Sequence, residues 1–187
     1  MMNEGGCFKV DERDKQLIRD IAAGDHESFK KLYQLYADYA LRTAYGITRN
    51  KADASDIVQE TFIKVYRHIG SFQQDKSFKP WFYRILVNEA RTLIAKRARQ
   101  PIAIEREQTL DLLNEEEDAE ANELLYSALD QLRERDRSIL MLKYLIGFKE
   151  KEIAHMLELN VNTVKSRLYQ ARNRLRKILG GEVDEAR

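Results

Sequence analysis

Apolar positions recur at helical spacing along most of this chain, most cleanly over residues 160–179. Read as a helix, that segment aligns Val161, Val164, Leu168, Ala171, Leu175 and Leu179 in one stripe. Its other side carries Lys165, Ser166, Arg167, Tyr169, Gln170, Arg172, Asn173, Arg174 and Arg176, and no acidic residue. Asn160 suits an N-cap, and Thr163 adds a hydroxyl in the first turn. Just before it, residues 149–157 read as a shorter helix with Ile153, Met156 and Leu157 inward and small Ala154 between them. Only Glu158 and Leu159 separate this helix from the Asn160 cap. Two helices joined so tightly form a helix-turn-helix, whose second helix enters the DNA major groove. Such turns favour glycine because the backbone is left-handed there, so Glu158 predicts a strained or differently shaped turn.

The first half carries the same periodicity. Residues 11–23 place Leu17, Ile18 and Ile21 on one face; Gly24 stops that helix and Asp25 caps the next. The next helix aligns Phe29, Leu32, Tyr33, Tyr36 and Ala40, and Asn50 and Lys51 mark the following turn. Residues 53–69 give a core stripe of Val58, Phe62, Val65, Tyr66 and Ile69. Opposite it stand Asp56, Glu60, Ile63 and Arg67. A plain solvated face has no need of Ile63, so this side also reads as a docking face for a basic helical partner. Residues 70–79 form a polar loop holding Phe72 and Phe78, and Pro80 suits the first turn of a helix over 80–99. That helix puts Phe82, Leu86 and Leu93 on one face and Arg84, Asn88, Arg91 and Arg99 on another. Loop aromatics beside a basic helix suit a single strand with unstacked bases. Core packing is the competing reading for Trp81 and Tyr83.

Residues 100–121 break the pattern. Pro101 ends the helix, and a run rich in Glu and Asp follows, including Glu115, Glu116, Glu117 and Asp118, which reads as an acidic linker. Residues 122–132 and 135–145 return to helix, with Leu125, Leu129 and Leu132 on the first and Ile139, Leu142, Leu145 and Ile146 on the second. Gly147 closes it.

Composition narrows the classes. The 187 residues, 43% of them hydrophobic, suffice for one or two small cores. A net charge of +1 makes any nucleic-acid surface a local one. Cys7 is the single cysteine, and His26, His68 and His155 lie far apart, so neither a disulfide framework nor a metal site is expected. No catalytic constellation or phosphate loop stands out, and no cofactor is expected. No apolar run approaches the ~20 residues that span a bilayer, so direct membrane insertion is not expected and the chain reads as cytoplasmic.

Taken in order, these parts resemble the extracytoplasmic-function (ECF) sigma factors, the smallest class of the main bacterial sigma family. The similarity covers residues 17–179 and rests on four pieces: GDHESFKKLY from Gly24, DASDIVQETFIKVY from Asp53, FKPWFYRILVNEARTLIAKRAR from Phe78, and GFKEKEIAHMLELNVNTVKSRLYQARNRLR from Gly147. Pro80 and Glu158 depart from the family's usual pattern. The resemblance implies an all-α protein of two small helical domains: an N-terminal one over 10–99, the acidic linker over 100–121, and a four-helix C-terminal one over 122–180 containing the helix-turn-helix. It implies no catalytic chemistry. It implies binding of core RNA polymerase, at the β-prime coiled coil and the β flap, and of promoter DNA, with an anti-sigma factor, often membrane-anchored, as regulator. Core binding would fall to Asp56, Gln59, Glu60, Ile63 and Arg67. The minus-ten element would meet Phe72, Phe78, Trp81, Arg84, Asn88 and Arg91. The minus-thirty-five element would meet Thr163, Lys165, Ser166, Arg167, Tyr169, Gln170, Arg172, Asn173 and Arg176. The alternative is a dimeric helix-turn-helix regulator with an N-terminal helical sensing domain. It accounts equally well for residues 160–179, but not for the loop aromatics or the Asp56/Glu60/Ile63 face.

Overall fold

A computed structural model describes residues 12–73, 76–99 and 119–180, and all regular structure among them is helical. Helices α1 (Glu12–Ala22), α2 (His26–Thr48), α3 (Lys51–His68) and α4 (Phe78–Arg99) form one group. Helices α5 (Ala119–Asp130), α6 (Glu134–Leu140), α7 (Glu150–Leu157) and α8 (Val161–Ile178) form the other. The tail with Cys7 and the acidic stretch up to residue 118 lie outside the described residues.

Local chemistry sets the ends. Asp25 caps α2, accepting from the Glu27 amide at 3.0 Å and the Ser28 hydroxyl at 2.6 Å. Asn50 caps α3 through the Asp53 amide at 2.9 Å, so α3 starts two residues earlier than its apolar pattern predicts. Helix α4 begins at Phe78, with Pro80 in its first turn, where a missing amide costs no intrahelical bond. Helix α6 runs into a wider π turn, Met141–Leu145, before Gly147 (φ 87°) ends the segment.

In the first group α2 packs along α3, α3 along α4, and α1 against α2. The core there is Leu32, Ala40, Ile47, Val65, Phe82 and Leu86, with Tyr36 edge-on to Phe78 and tilted on Phe82 at centroid distances of 5.2 and 5.0 Å. In the second, Ile139, Leu142, Ile153 and Val164 are fully enclosed, and α5, α6 and α7 all rest on α8. Burying each such side chain contributes about 1.5–3 kcal/mol. The groups meet where α2 touches α6 and the π turn, and where α4 touches α7. Buried residues of both join one continuous apolar cluster.

Four residues of the expected apolar stripes face outward, Leu179 among them at 39% exposed. Tyr33 is 47% exposed, Tyr66 42% and Leu125 40%. Of the residues expected on the core side over 122–132, Leu129 and Leu132 are buried, and Tyr126 and Ala128 take the place of Leu125.

Candidate functional site

Helix α8 is fixed from beneath. Val164, Leu168 and Ala171 are buried, and the Asn160 side chain accepts from the Asn162 amide at 2.8 Å. Lys165, Ser166, Tyr169, Gln170 and Arg172 are exposed on its outer side; Thr163, Asn173 and Arg176 are half-buried. Arg167, expected at the minus-thirty-five element, is half-buried here and donates to Asp136 of α6 at 3.4 Å. The turn before α8 keeps its left-handed residue, and that residue is Glu158 (φ 55°, ψ 43°). The Leu159 amide closes the turn onto the Ala154 carbonyl at 2.8 Å. At the entry to α7, Glu152 accepts from the Lys149 amide at 2.8 Å, and Lys143 pairs with Glu150 at 2.8 Å. The Lys143 hydrogen bond, more than anything else around it, holds the Glu150 carboxyl below its ordinary range.

The expected minus-ten residues divide. Arg84, Asn88 and Arg91 recur on one side of α4, with Asn88 and Arg91 exposed. Arg84 is engaged by the Glu158 carboxylate at 2.6 Å. The aromatic residues do not form an open pocket. Phe78 is 2% exposed, a core residue of the first turn of α4 and not a loop residue. Phe72 and Trp81 are half-buried and packed on it, at 5.9 and 5.7 Å between centroids. For Trp81 the core-packing reading therefore describes this conformation. Farther along α4, Arg97 reaches back to pair with buried Asp53 of α3. Burial pushes the Asp53 carboxyl up, and Arg97 opposes that push.

Between α2 and α3 lies a groove of about 860 Å³. Gln59, Ile63 and Arg67 line it from α3, while Asp56, exposed, and Glu60, half-buried, stand outside its lining. Glu60 is 3.9 Å from Lys64, whose stronger partner is Glu89 of α4 at 2.7 Å. Sequence reasoning missed the aromatic wall of the groove. Phe29 meets Tyr66 edge-on at 5.0 Å, Tyr33 leans on Phe62 at 4.7 Å, and His26 stacks on Tyr66 at 6.2 Å. The available signal was Phe29 and Tyr33 at i and i+4, here read as core. No helix among the described residues is long and apolar enough to cross a membrane.

Residues 32–100 match the family model for Sigma-70 region 2, and residues 122–175 match that for Sigma-70, region 4. The RNA polymerase sigma-H factor of Pseudomonas aeruginosa is 30% identical across 94% of this chain and 98% of its own length. The chain belongs to the ECF group of the sigma-70 family. The ECF RNA polymerase sigma-E factor of Haemophilus influenzae is 33% identical across 85% of this chain and 91% of its own. Among solved structures, the sigma factor RpoE of Bartonella quintana, in complex with the anti-sigma factor NepR, superposes with a TM-score of 0.68. It is 27% identical and covers 85% of this chain and 99% of its own. CnrH, solved with the cytosolic domain of CnrY, shares the fold at a TM-score of 0.66 and 23% identity, over 90% of this chain and 97% of its own. As a sigma factor, the chain binds core RNA polymerase, directs it to specific promoters and initiates transcription. The dimeric-regulator reading is not favoured.

Proposed function

We propose a division of labour within this sigma factor, carried by one observation: α8 presents Lys165, Ser166, Tyr169, Gln170 and Arg172 outward, without an acidic neighbour on the helix, from a buried apolar base. Residues 122–180 read the minus-thirty-five element, with the early turns of α8 at base edges and Arg172, Asn173 and Arg176 toward phosphate. Residues 10–99 bind core polymerase and the minus-ten element. The α2–α3 groove receives an apolar ridge of the β-prime coiled coil on Ile63, Tyr33 and Tyr66, and Asp56 and Glu60 flank it as acidic steering charges. The helix-turn-helix half also meets the β flap. On α4, Asn88 and Arg91 face outward for the melted strand, and Arg84 joins them once released from Glu158. Since the RpoE relative was solved with an anti-sigma factor, an anti-sigma partner is proposed for this chain as well, and the chain is placed in the cytoplasm.

The test is reconstitution. Core polymerase with this chain alone should start transcripts from a cognate promoter, and footprints should cover both elements. Failure to start from any promoter in a genomic template library, with core binding intact, would overturn the reading.

A further inference from the structure

Between the two helix groups lies a cleft of about 440 Å³, separate from the α2–α3 groove. Helices α1, α2 and the start of α4 wall it on one side, and the end of the π turn walls it on the other. Its charged lining is Arg13 and Asp14 of α1 and Lys79 of α4. Its apolar lining includes Leu35 of α2 and, from the second group, Leu145 and Ile146. Asp14 is 9% exposed and accepts from the Tyr36 hydroxyl at 2.5 Å. Lys79 donates to the Ile146 carbonyl at 3.2 Å. Burial pushes the Lys79 ammonium down from its ordinary range, and the Asp14 and Glu152 carboxylates oppose that push.

Three features set this cleft apart from a gap in packing. Taking charges out of water costs stability that their mutual attraction only partly returns. Apolar side chains at positions 14 and 79 would fill the same space without that cost, yet the chain keeps charges there, each oriented by a neighbour. Leu145 and Ile146 reach the cleft from a π turn, a winding that is frequent at functional sites. The volume lies within the roughly 300–1,000 Å³ of small-molecule sites, which favour the junction of two structural units and join an apolar lining to a few fixed polar groups.

The walls also select the ligand. Asp14 and Lys79 offset each other, so Arg13 leaves the lining with a surplus of positive charge. A carboxylate is drawn to the Arg13 and Lys79 end, and an apolar body to Leu35, Leu145 and Ile146. A cation would meet two like charges, and the one carboxylate is already bonded to Tyr36.

We propose that this cleft binds a small organic acid, a carboxylate on a compact apolar body, with the headgroup at Arg13 and Lys79 and the body between α2 and the π turn. Both helix groups supply the walls, so the occupant stabilises the folded chain by mass action. The site shares no residue with the α2–α3 groove or the outer side of α8, and it stands apart from the division of labour proposed above.

The test uses the full chain and three probes that share one ring system: 2-naphthoate, 2-naphthamide and 2-naphthylmethylammonium. Titration calorimetry should give 2-naphthoate a Kd of about 0.1–1 mM, in keeping with its size. The neutral amide should bind at least about fivefold more weakly, and the ammonium more weakly still. Added 2-naphthoate should raise the Tm of the parent in a dose-dependent way. Lys79→Gln keeps a donor for the Ile146 carbonyl and should weaken 2-naphthoate about tenfold while leaving the amide unchanged. Arg13→Gln, at an exposed position, should weaken it about two- to fivefold. Leu35 is 38% exposed, and Leu35→Trp fills the cleft from its mouth; it should abolish binding while keeping the parent's circular dichroism. Equal affinity for all three headgroups overturns the proposal, as does the absence of saturable 2-naphthoate binding. An affinity for 2-naphthoate unmoved by Lys79→Gln or by Leu35→Trp overturns it too.

Discussion

At the scale of single residues, reading and holding can be separated on α8. Gln170 is exposed and can bond adenine N6 and N7, whereas Arg176 is half-buried on a late turn, which the proposed docking sets toward phosphate. Gln170→Ala should cost about 1–3 kcal/mol at one or two base pairs of the minus-thirty-five element; Arg176→Ala should weaken all sequences alike and lower the salt slope by about 1. Titrating single-base variants at two salt concentrations distinguishes them, and the reverse outcome would mean the helix lies in a different register in the groove. A second prediction concerns Asp53. Arg97→Ala leaves a buried carboxylate without its counter-charge, at a cost of about 1–3 kcal/mol near neutral pH. Burial raises the Asp53 carboxyl in the folded state, so folding favours its protonated form. Stability from this group is complete below the unfolded value, about 3.9, and falls as pH rises through the folded one. The deficit of Arg97→Ala should therefore shrink as thermal melts are moved from neutral pH toward pH about 4. A deficit independent of pH would show that the charge on Asp53 is not its source.

At the scale of elements, what was legible depended on how many neighbours a helix has. Helix α8 packs through one stripe, and its pattern named all three of its buried residues, Val164, Leu168 and Ala171, while Val161 and Leu175 are half-buried and Leu179, past its end, is exposed. Helix α2 packs against α1, α3, α4 and the second group, so more than one of its faces is apolar and a single stripe misassigns Tyr33. Tyrosine compounds the difficulty, since Tyr33 and Tyr66 each present an apolar ring body and a polar tip. The pairs Arg97–Asp53 and Arg167–Asp136 join residues far apart in sequence, and periodicity carries no trace of them. Lys96, Arg97 and Arg99 looked uniformly basic, yet one of the three is committed to the fold. The groove follows from the same facts: its aromatic wall exists because Tyr33 and Tyr66 miss the core. Ile63→Asp would put a charge among Phe29, Tyr33 and Tyr66 and should mainly speed dissociation from core polymerase. Asp56→Ala with Glu60→Ala removes solvated charges and should mainly slow association, with a weaker dependence on salt. Surface-immobilised core polymerase gives both rates directly. Equal effects on dissociation from both variants would move the docking face off this groove.

At the scale of the whole molecule, a chain of net charge +1 keeps acidic residues off α8 altogether. Positive charge available to DNA is thus local, on α8 and on the Arg84/Arg91 side of α4, and not spread over the whole. Cohesion is shared differently. Phe148 belongs to the second group and is fully buried, yet its ring meets Tyr83 of α4 edge-on at 5.8 Å and lies under Lys79. Tyr83 is itself 1% exposed, and burial raises its hydroxyl well above the ordinary tyrosine range. Met141 packs so closely on Gly46 of α2 that a Cβ there would meet its sulfur at 2.5 Å. Each group therefore completes part of the other's core, and removing one exposes apolar surface on both. The free chain should unfold in one calorimetric transition, with van't Hoff and calorimetric enthalpies equal. Phe148→Ala truncates a ring shared by both groups, a change that typically costs about 3–5 kcal/mol in a core. If that ring couples the groups, the variant should split the endotherm in two, with the first group melting nearer its parental temperature than the second. A parent that already shows two transitions would mean that each group is stable alone and that Phe148 fills a core without coupling the two.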